Sequence, residues 1–183
     1  MWPIILGVVA AVVVVFPVIV AMRPAEFSIA RSAVIGAPAE AIFSQVNDFH
    51  LWDDWSPWAK LDPAMKQTFE GAASGVGAAR TWEGKKSGTG RSTIVASVPF
   101  SRVEVKLEFM KPWAATNFAE FRMEPQGAAT KVTWTMTGRN NFMLKGFSMF
   151  CDMDKMIGKD FEKGLAGIKG IAESQGKAVR AGA

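Results

Sequence analysis

Residues 147–175, FSMFCDMDKMIGKDFEKGLAGIKGIAESQ, form the only long soluble segment whose apolar residues keep a helical beat. Phe150, Met153, Ile157, Phe161, Leu165, Ile168 and Ala172 recur at steps of three and four, which draws one apolar stripe down a helix. Asp154, Lys155, Lys159, Glu162, Lys163, Lys169 and Glu173 lie mostly off that stripe. At about 1.5 Å per residue the helix runs roughly 40 Å, so only a broad sheet can cover it. Glycines at 158, 164, 167 and 170 each cost about 1 kcal/mol relative to alanine in a helix interior. For Gly164 and Gly167, on or beside the stripe, the reason to accept that cost is close backbone packing.

The sheet is legible ahead of the helix. Residues 26–35 are β-prone and alternating; Gly36, Ala37 and Pro38 stop them and open a short helix through Val46. Six further runs, 66–70, 78–82, 91–98, 102–110, 116–124 and 130–137, are separated by Gly and Pro turn chemistry. Val103, Val105, Leu107 and Phe109 alternate with Arg102, Glu104, Lys106 and Glu108, and Val132, Trp134 and Met136 alternate with Lys131, Thr133 and Thr135. One face is therefore wet and one buried. Connections this short imply an antiparallel meander. The expected architecture is α+β, a curved sheet of about seven strands wrapped around the long C-terminal helix.

The chain has 183 residues, and its first 22 contain no charged side chain. Residues 2–22 match the hydrocarbon thickness that a transmembrane helix spans, and Pro17 is tolerated in such helices. With neither a basic n-region nor a clear cleavage site, the run is expected to be an uncleaved single-pass anchor. Residues 23–25 are then a linker, 26–175 one domain, and 176–183 a frayed tail. Arg23, the only flanking side-chain charge, favours a cytoplasmic domain, whereas N-terminal anchors commonly send a following domain across. The side of the membrane stays open, as does the oligomeric state. A formal charge of +4 with both signs interspersed does not form a nucleic-acid patch, but mild attraction to anionic headgroups is expected. The single cysteine, Cys151, fits either compartment.

Catalytic signatures are weak. Gly84-Lys85-Lys86-Ser87 lacks the earlier glycine and the strand-to-helix context of a phosphate loop. The sole histidine, His50, has Asp48, Asp53 and Asp54 nearby, an arrangement open to acid/base work, yet no ligand spacing supports a metal. No catalytic set, metal or cofactor is expected. The aromatics say more. Trp52, Trp55 and Trp58 fall three apart in a stretch that Pro57 and Pro63 make loop-like, and Phe69, Trp82, Phe109, Phe121 and Trp134 come from different strands. With Met136, Met153, Ile157 and Phe161 they are the candidate lining of an apolar cavity between sheet and helix. The same side chains could instead fill a solid core.

Phe27 with Arg31-Ser32, residues 35–40 (IGAPAE) with Phe43, Asn47-Asp48, Trp52 and residues 55–58 (WSPW) resemble the opening of the START-like superfamily in its polyketide cyclase/dehydrase-type branch. Residues 75–78 (GVGA) with Trp82, and Gly164-Leu165, fit the same pattern. The resemblance implies a helix-grip fold with an apolar cavity, and relatives that bind lipids, sterols, quinones or polyketides. The branch shares no universal catalytic set, so no catalytic residue carries over. The expected function is membrane-anchored binding or transport of a hydrophobic small molecule. The alternatives are an enzyme acting on an apolar carbonyl substrate, with Asp48, His50 or Asp53 as proton carriers, and an interaction module like the chaperone-activator branch. The residues at 52–58 are also expected to gate the cavity.

Overall fold

The computed structural model describes residues 2–181, with side chains described at position 2 and from 13 to 176. Seven strands, β1 (Glu26–Ile35), β2 (Lys66–Gly71), β3 (Ala78–Gly84), β4 (Gly88–Val98), β5 (Arg102–Lys111), β6 (Ala115–Gln126) and β7 (Ala129–Arg139), form one antiparallel sheet. Its order is β1-β7-β6-β5-β4-β3-β2, a meander from β2 to β7 with β1 added at the far edge. Each sequence-predicted strand is present, extended by one to three residues at one or both ends except β1.

α2 (Ala39–Asn47), a 3₁₀ turn (Phe49–Leu51), α3 (Trp52–Trp55), α4 (Pro57–Leu61) and, after β7, α6 (Met153–Ala181) cover the inner face, and a short helix, α5 (Phe142–Phe147), stands between β7 and α6. Residues 49–61, expected to be loop-like, are therefore three short helical turns. Pro57 does not break helix here but begins one, because its missing N–H falls in the first turn where no intrahelical partner exists. The long helix also starts later than expected. Asp152 caps α6 by accepting a hydrogen bond from the Lys155 backbone N–H at 2.9 Å, which separates it from α5. Phe150 falls in the gap and is 78% exposed, outside the stripe. At the other end helix continues to Ala181, through residues expected to be a tail, where alanine, lysine and arginine are good helix formers. Residues 182 and 183 of that tail lie outside the described residues.

Phe161, Leu165, Ile168 and Ala172 of α6 are buried as the stripe requires. A Cβ at Gly164 would stand 2.7 Å from the Trp134 ring, and one at Gly167 would stand 3.0 Å from the Trp55 carbonyl oxygen. Both glycines thus serve close packing. Polar contacts lock α6 along β1: Arg31 pairs with Asp154 at 2.8 Å and Glu162 at 3.1 Å, Lys169 donates to the Val34 carbonyl at 2.9 Å, and the Gly36 N–H donates to Glu173 at 2.8 Å. Hydrogen bonding to Asp154 raises the Arg31 pKa, and the same bond holds Asp154 below the usual carboxylate range.

Trp2–Met22 is α1, with Pro17 inside it. Among the described residues no helix is long and apolar enough to cross a membrane. Side chains 3–12 lie outside the described residues, and the remaining ten-residue part of α1, 13–22, extends only about 15 Å of the roughly 30 Å required. The expected span is thus not shown. The C-terminal part of α1 packs against α5, where a Cβ at Gly146 would lie 3.9 Å from Val20, and in the gap after α5 the Phe150 ring lies 6.2 Å from that of Phe16.

Candidate functional site

Cross-strand register partners share a face, so the pairings sort the inner face into rows. One row runs Val103, Phe121, Trp134 and Arg31; two rows away another runs Phe69, Arg80, Ser92, Leu107, Asn117, Gly138 and Phe27 across all seven strands. The first row is closed. Trp134 stacks on Phe161 at 4.1 Å and 4°, and its ring lies 4.6 Å from Phe121, 5.7 Å from Trp55 and 5.7 Å from Trp58. Trp52 and Trp55 are buried and donate their indole N–H groups to the Val46 and Gln45 carbonyls at 3.2 and 3.1 Å. Of the sequence-predicted lining, Trp52, Trp55, Trp58, Phe121, Trp134 and Phe161 therefore pack ring against ring where α6 crosses the sheet.

The second row differs in chemistry. Five buried side-chain polar atoms lack a hydrogen-bond partner among the described residues, and three of them, Arg80 Nε, Ser92 Oγ and Asn117 Oδ1, lie in this row. Alongside, the inward residues of the central strand change from fully buried Val103 and Val105 to half-buried Leu107 and Phe109. The inner face is thus uncovered toward this end of the sheet. Trp82 and Phe109, from the predicted lining, stand in the adjacent row with rings 5.7 Å apart, and Gly90 makes room for the Trp82 indole, which a Cβ would meet at 2.3 Å. Met136 is buried one row in the other direction, and Met153 and Ile157 are half-buried on the first turns of α6.

Arg80 is the distinctive group. Its guanidinium lies 5.1 Å from the Trp52 ring and 5.7 Å from the Phe49 ring, and Nη1 donates to Gln67 Oε1 at 3.2 Å. The Gln67 amide donates in turn to Asp53 at 2.8 and 2.9 Å. The nearest countercharge is thus relayed through a neutral amide. Burial lowers the Arg80 pKa to about 10, so it remains a cation at neutral pH. A buried cation whose fully buried Nε has no partner, and that has no direct carboxylate, is built to receive an acceptor oxygen.

His50 meets this row only at its exposed end, on Phe69 of the edge strand β2, while Asp48 and Asp53 are engaged by His50 and Gln67. His50 Nδ1 and its backbone N–H both engage Asp48, at 2.7 and 2.9 Å, and the ring stacks on Phe69 at 4.1 Å. His50 and Asp53 are exposed, as is Phe69 at 38%. Among the described residues no group of His, Cys, Asp and Glu could hold a metal. Arg80, Ser92 and Asn117 were missed by sequence reasoning aimed at aromatics and carboxylates. The signal was present: in Ala78-Arg80-Trp82, Gly90-Ser92-Ile94 and Asn117-Ala119-Phe121 a polar residue occupies the inward register of a period-two strand.

A second concavity, about 820 Å³, lies at the β3–β4 hairpin and is lined by Asp62, Lys66, Glu83, Lys85, Lys86 and Lys111, among others. Asp62 is committed to structure, accepting from the Lys86 and Ser87 N–H groups at 2.9 and 3.3 Å and from Ser87 Oγ at 3.2 Å. These bonds, the Lys86 N–H first, hold its carboxyl below the usual range.

A family model described as polyketide cyclase/dehydrase and lipid transport matches residues 26–173. Among solved structures, a protein from Chromobacterium violaceum superposes with a TM-score of 0.60 at 13% identity, covering 80% of this chain and 96% of that one. The Aha1 dimer from Colwellia psychrerythraea gives 0.59 at 16% identity, covering 80% and 96%. The di-domain ARO/CYC StfQ of the steffimycin biosynthetic pathway gives 0.61 at 10% identity, covering 84% of this chain and 52% of that one. At such identities the likeness shows the fold. No curated protein matches.

Proposed function

We infer, from the premise that this chain belongs to the polyketide cyclase/dehydrase and lipid transport family, that it binds a hydrophobic small molecule on the inner face of the sheet. The ligand lies against Leu107, Phe109 and Trp82, and carries an acceptor oxygen, carbonyl or carboxylate, that meets Arg80. The single observation that carries this reading is the row of buried, unpartnered polar atoms on Arg80, Ser92 and Asn117 beside the half-buried side chains of the central strand. A solid core would not place a guanidinium, a hydroxyl and an amide in one register. Lipids, isoprenoid quinones and polyketide-like molecules share the required chemistry. The apolar Trp2–Met22 helix supports a tether in the membrane from which such a ligand would be drawn.

The enzymatic alternative has less support. Its proton carriers, Asp48, His50 and Asp53, are engaged at the surface, and the inward titratable group is an arginine that stays charged.

The test is mass spectrometry of organic extracts from the full chain purified in mild detergent, beside Arg80→Met. An apolar compound bearing a carbonyl or carboxylate is expected from the native chain and is expected to be depleted in the variant. With oleate and a short-chain quinone as probes, Arg80→Met should weaken binding tenfold or more. An extract without any apolar compound, together with no binding of either probe, overturns the reading.

A further inference from the structure

The register places several chain segments at one end of the sheet. Glu26 pairs with Arg139, Lys66 with Glu83, Glu83 with Thr89, and Thr89 with Lys111, while the Asn140 N–H donates to the Ala25 carbonyl at 2.7 Å. The exit of α1, the start of α5, the β5–β6 turn, the β3–β4 hairpin and the entry to β2 therefore line one end of the sheet. The inner face is also uncovered toward this end.

Two kinds of exposed side chain gather there. Trp113 is 62% exposed and Met143 70%, and Phe142, Phe147 and Phe150 are exposed as well. A water-facing surface does not ordinarily carry so many large apolar groups on one short helix, the gap after it and one turn. Lys66, Lys85, Lys86 and Lys111 are also exposed, and none forms an ion pair among the described residues, although Glu83 and the committed Asp62 line the same concavity. The set is continuous with the apolar α1, because Phe16 meets Phe150, a Cβ at Gly146 would lie 3.9 Å from Val20, and Lys145 donates to the Ala21 carbonyl at 3.3 Å.

We propose that this end of the sheet docks on an anionic lipid bilayer. α5, the gap that follows it and the β5–β6 turn enter the headgroup region through Phe142, Met143, Phe147, Phe150 and Trp113, and the four lysines meet lipid phosphates. Tryptophan and phenylalanine beside lysine are the side chains that an interface between hydrocarbon and water selects. Charge complementarity names the occupant: unpaired lysines at the same end of the sheet as an exposed apolar patch fit anionic headgroups. Docking in this pose turns the open end of the inner face toward the bilayer, so that a lipophilic ligand would pass between the two without crossing water. The docking surface is independent of the ligand reading; only this last consequence rests on it.

The experiment uses the full chain in vesicles of phosphatidylcholine with phosphatidylglycerol. Nitroxide labels at Trp113→Cys, Met143→Cys and, at the opposite end, Gln126→Cys, each in a Cys151→Ser background, report accessibility to oxygen against a water-soluble nickel chelate. Labels at 113 and 143 should favour oxygen and that at 126 the chelate. Combined Lys85→Glu, Lys86→Glu and Lys111→Glu should raise chelate access at 113. Labels at 113 and 143 as open to the chelate as that at 126 overturn the proposal, and so does immersion that neither the lysine reversals nor omission of phosphatidylglycerol changes. The reversals should leave the organic extract of detergent-purified protein unaltered, which separates failure here from failure of the ligand reading.

Discussion

Two rows of one sheet, contributed by the same strands, do opposite things. The row of Val103, Phe121 and Trp134 is sealed by Phe161 of α6 and by Trp55 and Trp58 and holds one unpartnered polar atom, Trp134 Nε1, whereas the row of Arg80, Ser92 and Asn117 keeps three beside half-buried Leu107 and Phe109. The difference teaches that the aromatic load divides by position: where α6 crosses, aromatics interlock into core, and beyond its reach the face turns polar and uncovered. On the proposed function, stability resides in the first region and recognition in the second.

The strongest challenge to that division is Trp55→Ala. The side chain is buried, hydrogen-bonded to α2 and in contact with Phe121 and Trp134, so truncation should cost about 3–5 kcal/mol in urea unfolding. A gate at this position would instead alter ligand exchange with little loss of stability. Arg80→Met should do the reverse: about 1.5–3 kcal/mol of affinity lost, with the unfolding midpoint unchanged or raised, because an indirectly compensated buried charge gives way to an apolar chain. A fall in stability as large as that of Trp55→Ala would erase the distinction between the rows. Gly164→Val sharpens the closed side. Its added methyls drive into Trp134, and overpacking should cost about 1–3 kcal/mol while oleate binding is preserved.

The smallest effect lies at the hairpin, outside both rows. Folding holds the Asp62 carboxyl below its ordinary value of 3.8 through the Lys86 and Ser87 N–H groups. A depressed carboxylate pKa contributes stability that is present above 3.8 and is lost as pH falls below it through the folded value. Asp62→Asn should therefore lower Tm at pH 7, and the gap from the native chain should close in acid; a gap that stays the same at every pH would mean that the loss does not come from the charge of the carboxylate.

Most of the fold was legible because it is written in local rules. Alternation at 102–110 and 130–137, with Gly and Pro between runs, located all seven strands, and steps of three and four located α6. The errors sit where one residue has two uses. Asp152 looks like a polar position within a continuing helix but caps a new one, and Pro57 looks like a breaker but occupies the first turn of α4. The candidate site was legible in part. Composition predicted an aromatic interior, but spacing shows only that a side chain faces inward, never whether a neighbour meets it. Trp134 and Trp82 follow the same strand pattern, yet one is stacked beneath α6 and the other borders the polar row. Arg80 was readable from register alone, and only the sheet order shows that Ser92 and Asn117 share its row.

The central claim is that Arg80 Nε receives an oxygen of an apolar ligand. The direct measurement is the ¹⁵N–¹H resonance of that Nε–H in delipidated protein, before and after the organic extract of the purified chain is added back. A downfield shift with slowed exchange against water is predicted. An Arg80 resonance that stays still while shifts gather at the lysine-lined concavity would contradict it.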